Sequence, residues 1–138
     1  PDAMIHLGDY FEDGKDMAEE FPHIPMHQVP GNCDRYRMVA YHPEQLCYPV
    51  CGVKLYMTHG HNQKVKITLA ILKKEAREAG AQAALFGHTH SALCTQEDGL
   101  WLLNPGACGS YSGSAGLIEV SDGRITACRI ITQKDLIP

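Results

Sequence analysis

Four short apolar runs in this sequence each close in a glycine-bearing turn that carries a residue able to bind a metal ion. Ala3-Met4-Ile5-His6-Leu7 ends in Gly8-Asp9, and His27-Gln28-Val29 ends in Pro30-Gly31-Asn32-Cys33-Asp34. Val53 to Met57 ends in Thr58-His59-Gly60-His61, and Ala83-Ala84-Leu85-Phe86 ends in Gly87-His88-Thr89-His90. Apolar runs this short read as buried strands. Ligands at strand ends converge at one edge of a sheet, where α/β folds place their sites, and glycine lets the backbone turn there. The layout therefore predicts a mixed α/β fold with one site assembled from four separate loops.

The rest of the chain fits that class. A polar, Glu-rich stretch from Asp13 to Phe21 reads as a weak surface helix or a turn. Val65, Leu69, Leu72, Ala76 and Ala79 recur at steps of four and three, which predicts a helix over 64–79 with one buried stripe, stopped by Gly80. Three hairpins are expected. One turns at Cys51-Gly52, between 45–50 and 53–57. The others turn at Asp98-Gly99 and Asp122-Gly123. Residues 35–45 read as a loop. Short strands and a helix followed by hairpins suit a sheet sandwich flanked by helices, built as one domain over 1–138.

His88 and His90 lie two apart, so in an extended segment both imidazoles face one cavity. Paired ligands of this kind suit two divalent ions roughly 3.5–4 Å apart, the spacing used in phosphoryl hydrolysis. Asp9 is the candidate bridging carboxylate, Asn32 can add a carbonyl oxygen, and His59 a nitrogen. His6, His23, His27 and His42 have no partner pattern. Asp34 either orients a ligand or pairs with Arg35 or Arg37, and Arg37 is a candidate phosphate contact.

These ordered motifs resemble those of the calcineurin-like metallophosphoesterases: G-D at Gly8-Asp9, G-N-C-D at 31–34, a histidine before G-H at 59–61, and G-H-x-H at 87–90. Asn104-Pro105-Gly106-Ala107 is similar to the family's closing turn, and G-N-C-D is similar to the small single-domain bacterial and archaeal phosphodiesterases. The resemblance implies a metallophosphoesterase-type β-sheet sandwich and a small phosphodiester or phosphomonoester substrate. It implies two divalent ions, manganese first, with nickel, zinc, iron or cobalt also suited to the ligand set. Asp9 would bridge them, Asn32, His59 and His88 would complete the second site, and His90 would serve the first. A hydroxide activated between the ions would attack phosphorus in line with the leaving oxygen.

The sequence departs from the family twice. Cys33 stands where many relatives carry a histidine that assists the leaving group, so we expect it to be a neutral wall of the site. His61 is then the candidate to offer a proton or a phosphate contact. The family's D-x-H motif, on a strand upstream of Ala3, is absent, and the sequence opens at Pro1 directly into a strand. The expectation is an N-terminally truncated domain, lacking its first strand and helix and inactive in that form. The rival reading is a non-catalytic scaffold, because one relative with this compact fold serves in the retromer sorting coat.

Composition narrows the partners. A net charge of -4 argues against a binder of long nucleic acid. No apolar run approaches the roughly 20 residues of a membrane span, and no signal segment is expected. Six scattered cysteines read as mostly buried thiols of a cytoplasmic protein. A homo-oligomer is left open.

Overall fold

The computed structural model describes residues 1–34, 40–109 and 113–136. Arg35 and Arg37 therefore lie outside the described residues. The described elements run β1 (Met4–His6), α1 (Phe11–Glu20), β2 (Met26–Gln28), β3 (Gln45–Val50), β4 (Val53–Thr58), α2 (Ala70–Glu78), β5 (Ala83–Leu85), β6 (Leu93–Glu97), β7 (Leu100–Asn104), β8 (Ser114–Ser121), β9 (Arg124–Thr132) and α3 (Gln133–Leu136).

A five-stranded mixed sheet in the order β3-β4-β5-β7-β6 forms the centre. β4, β5 and β7 run parallel, and β3 and β6 flank them antiparallel. The edge position of β3 explains how it accommodates Pro49, whose missing N–H costs no inner ladder bond. Side chains alternate between two cores, as the strand period requires. On one face Tyr56, Ala84, Phe86, Leu100 and Leu102 meet Leu72 and Ala76 of α2. On the other, Val53, Leu55, Met57, Ala83, Leu85 and Leu103 pack against Ile5 and Leu7 near β1 and Ile118, Val120 and Ile130 of the β8–β9 hairpin. The parallel pair β1–β2 and that hairpin make the second layer. The fold is thus the expected sandwich, with a helix covering the central sheet.

The three hairpins form where expected, each with a residue at positive φ before its glycine: Cys51 (50°), Asp98 (46°) and Asp122 (51°). Gly80 closes α2 at φ 73°, with Gly80 N–H donating to the Arg77 carbonyl and Ala81 N–H to that of Ala76.

The helix expected over 64–79 begins only at Ala70. Lys64 adopts φ 56°, which breaks the helical path, and the Thr68 hydroxyl accepts the Ala70 amide at 3.2 Å. The cause is Gln63, buried beneath the turn, whose amide donates to Glu75 of α2 at 3.0 Å. The apolar stripe is nevertheless the right set, since Val65, Leu69, Leu72, Ala76 and Ala79 all join one core. The cysteines also differ from expectation. No disulfide is found among the described residues, but Cys33, Cys51 and Cys108 are exposed and the other three half-buried.

Candidate metal centre

The parallel pairs bring four strand ends to the same edge. β1 leads to Asp9, β2 to Asn32, β4 to His59 and β5 to His88. Hydrogen bonding continues past the strands: Gly87 N–H donates to the His59 carbonyl at 2.9 Å and Val29 N–H to that of His6 at 3.1 Å. Gly8 and Gly31 let two loops touch. A Cβ on Gly8 would sit 2.7 Å from Gly31 N, and one on Gly31 would sit 2.2 Å from Asp9 Oδ1.

His59 is the hub, at 2% exposure. Its Nδ1 lies 2.7 Å from the Leu7 carbonyl, which fixes that nitrogen as the donor and leaves a lone pair on Nε2. Around Nε2 stand Asn32 Oδ1 at 3.0 Å, His88 Nδ1 at 3.2 Å and Asp9 Oδ2 at 3.5 Å. Asn32 turns its amide nitrogen toward Cys33 Sγ, 3.9 Å away, so the oxygen faces His59. Two acceptor oxygens aimed at an acceptor nitrogen repel unless a cation lies among them. This donor set, neutral imidazoles with one carboxylate and one amide, suits a divalent ion. Burial lowers the pKa of both His59 and His88, which keeps their lone pairs available. Among the described residues, no group of three or more His, Cys, Asp and Glu side chains is arranged to hold a metal by itself. Asn32 contributes the further oxygen here.

His90 stands apart. Its Nε2 is 4.0 Å from Asp9 Oδ2, and its side chain is 69% exposed. His88 and His90 do not sit on extended backbone as their spacing suggests: both hold left-handed backbone, φ 68° and 58°, so strand alternation does not aim them at one cavity. Asn104, wholly buried at the end of β7, braces that turn. Its amide donates to the Gly87 carbonyl at 3.0 Å and to Thr89 Oγ1 at 2.9 Å.

Asp34 proves to be a loop clamp. Its carboxylate, 2% exposed, accepts Phe11 N–H at 2.9 Å and Gly31 N–H at 2.8 Å, tying the Asp9 and Asn32 loops together. Cys33 reaches the site through its backbone, its N–H donating to Asp9 Oδ1 at 3.1 Å. The His61 ring sits 5.5 Å from that of His59 and 6.2 Å from that of His88. Both its nitrogens are buried without a hydrogen bond among the described residues. Three of the other four histidines make local contacts: Gly8 N–H donates to His6 Nδ1, His27 Nδ1 lies 2.6 Å from Tyr48 Oη, and His42 packs on Phe11; His23 is exposed. The Asp34, Gln63 and Asn104 contacts carry no sequence signal, apart from Asn104 opening an Asn-Pro-Gly turn.

Comparison with known proteins places the fold in a family. A probable metallophosphoesterase of Bacillus subtilis (strain 168) is 34% identical over 106 residues, covering 77% of this chain and 59% of its own length. A phosphodiesterase of Methanocaldococcus jannaschii is 29% identical over 70 residues, 51% of this chain and 39% of its own. The chain thus spans about three-fifths or less of the length of these relatives. Among solved structures, a conserved uncharacterized protein of Streptococcus pneumoniae TIGR4, described as a predicted phosphoesterase, superposes with TM-score 0.74 at 22% identity, over 96% of this chain and 82% of that one. Vps29 of Entamoeba histolytica, solved with zinc, gives 0.69 at 19%, over 94% and 82%. The profile of the calcineurin-like phosphoesterase superfamily domain matches residues 1–123, and the chain belongs to that superfamily.

Proposed function

We propose that this chain is the metal-binding part of a phosphodiesterase that hydrolyses small phosphate esters with two divalent ions. The observation that carries the reading is the cluster at His59 Nε2, where Asn32, His88 and Asp9 present donor atoms at 3.0–3.5 Å. Spacings of this size suit nitrogen and oxygen ligands that each stand roughly 2.0–2.2 Å from a shared ion. Asp9, Asn32, His59 and His88 would hold one ion, and Asp9 and His90 would serve the other. Two donors are too few for a stable second site, so we assign its remaining ligands to residues outside these 138. Manganese is our first choice of metal.

The ions would supply positive charge to the phosphate and so stabilise the charge that develops in the transition state. The chain's own residues position the rest. Leu7 holds His59 in one tautomer, and the Cys33 amide orients Asp9. The Cys33 side chain forms a neutral wall, and His61 offers a hydrogen-bonding group to the phosphate or its leaving oxygen. The phosphodiesterase of M. jannaschii supports the diester preference. No described helix is long and apolar enough to cross a membrane. We place the protein in the cytoplasm, consistent with six cysteines outside any disulfide.

The test is hydrolysis of bis(p-nitrophenyl) phosphate and p-nitrophenyl phosphate with manganese, before and after chelation. It compares this chain with one extended upstream by a D-x-H strand. Diester cleavage by the extended protein, abolished by chelation, supports the reading. A second reading, a non-catalytic scaffold, is favoured by the likeness to Vps29 and by the sparse ligands around His90. Metal binding without cleavage of either ester would select it.

A further inference from the structure

Glu44 lies outside every ligand-bearing loop, in the segment leading into β3, yet it reaches residues on both sides of His59. Its Oε2 accepts the Asn62 amide at 2.7 Å, and its backbone carbonyl accepts the Thr58 hydroxyl at 3.3 Å. Its Oε1 lies 3.5 Å from His61 Nε2. From the other side, Gln63 accepts the Thr58 hydroxyl at 3.1 Å and donates to Glu75. The turn at 61–63 is therefore held between β3 and α2.

His61 gains no hydrogen bond from this grip. Both ring nitrogens are buried and find no hydrogen-bond partner among the described residues, while the side chain is only 14% exposed. A buried polar atom without a partner is costly and is retained where something else is meant to meet it. The ring stands beside His59 and His88, and the carboxylate that approaches it is already fixed by Asn62.

We propose that Glu44 is a positioning residue for His61. Its carboxylate, 3.5 Å from Nε2, favours by its charge the tautomer with the proton on Nε2 and leaves the Nδ1 lone pair to accept a hydrogen bond from a hydroxyl or water beside the scissile phosphate. This builds on the phosphoesterase reading, but its first test needs neither metal nor substrate. Asn62 acts through the same carboxylate, locking its rotamer so that Oε1 stays toward the ring.

The test is ring-nitrogen NMR on the metal-free chain at about pH 8, above the ordinary imidazole range. In the unsubstituted chain, His61 is expected in a single Nε2–H tautomer. Glu44→Ala should raise the Nδ1–H form severalfold. Glu44→Gln loses the charge and leaves one oxygen for both the Asn62 amide and the ring, so it should also raise the Nδ1–H form. Glu44 is 41% exposed, so both variants should fold, which their melting curves check. A His61 tautomer indifferent to Glu44→Ala overturns the proposal. In the extended, diester-cleaving protein, Glu44→Ala should lower kcat about tenfold, the scale of one charge-assisted hydrogen bond, with KM little changed. An unchanged kcat there also overturns it. If that protein cleaves no diester, the phosphoesterase reading fails, and the tautomer alone decides the role of Glu44.

Discussion

Gly31→Ala isolates the close approach of loops on which the metal cluster depends. A Cβ at that position would stand 2.2 Å from Asp9 Oδ1 and 2.5 Å from the Asp9 backbone nitrogen. The carboxylate could rotate away, but the backbone nitrogen cannot. It falls short of the 3.4 Å at which ordinary contact begins by about 0.9 Å, so the Asp9 loop must shift by that much. The φ of Gly31 is not in the left-handed range, so the effect is steric and not conformational. Overpacking of this kind costs about 1–3 kcal/mol of stability. Displacing a ligand or its support lowers metal affinity by about 10–100-fold. Gly109→Ala, at a site with nothing within 4 Å and no positive φ, is the control. Thermal denaturation and calorimetric titration with zinc on both variants read the two effects. Wild-type zinc affinity in Gly31→Ala would refute the argument that the loops must touch for the site to form.

Three further outcomes follow from particular contacts. Asp34→Asn offers one oxygen where two backbone amides now bind, and should cost about 1–3 kcal/mol in urea denaturation. Acidification should destabilise the protein. Burial lowers the folded pKa of His59 and His88 below the ordinary 6.5, so the unfolded chain takes up protons first as pH falls through 6.5. The loss should continue down to the lowered folded values. Melting temperatures measured without metal should be flat above that window and decline within it, and a rise on acidification would contradict the assignment. Cys128 is pushed up to about 12 by burial and by its hydrogen bond with Cys94, so mild alkylation followed by mass spectrometry should label exposed Cys51 and Cys108 well before Cys128.

Local signals in the sequence were legible where one residue type settles the backbone. Asp98-Gly99 and Asp122-Gly123 specify turns with positive φ, and both form hairpins. The four strand-end motifs were legible because each needs only its own few residues, and parallel pairing then gathers their ends. What failed depended on distant partners. Lys64 to Thr68 has a helical pattern, but Gln63 is drawn to Glu75, twelve residues on, and the helix starts late. Asp34 meets Phe11 across 23 residues, and Glu44 meets Asn62 across 18. No period or spacing marks such pairs. His88 and His90 were matched to one cavity by an argument about extended backbone, whereas both hold left-handed backbone, with His88 against His59 and His90 standing apart. The cysteines were read as mostly buried thiols from the redox-compartment argument, but Cys33, Cys51 and Cys108 are exposed, Cys51 at a hairpin turn.

The central claim is that Asp9, Asn32, His59 and His88 form one metal site. Equilibrium titration of the purified chain with zinc, with anomalous diffraction from the resulting crystals, tests it most directly. The account predicts one tightly held ion per chain with its anomalous peak among these four side chains, and loss of that ion in His59→Ala. An ion bound elsewhere, or zinc binding that survives His59→Ala unchanged, would contradict it.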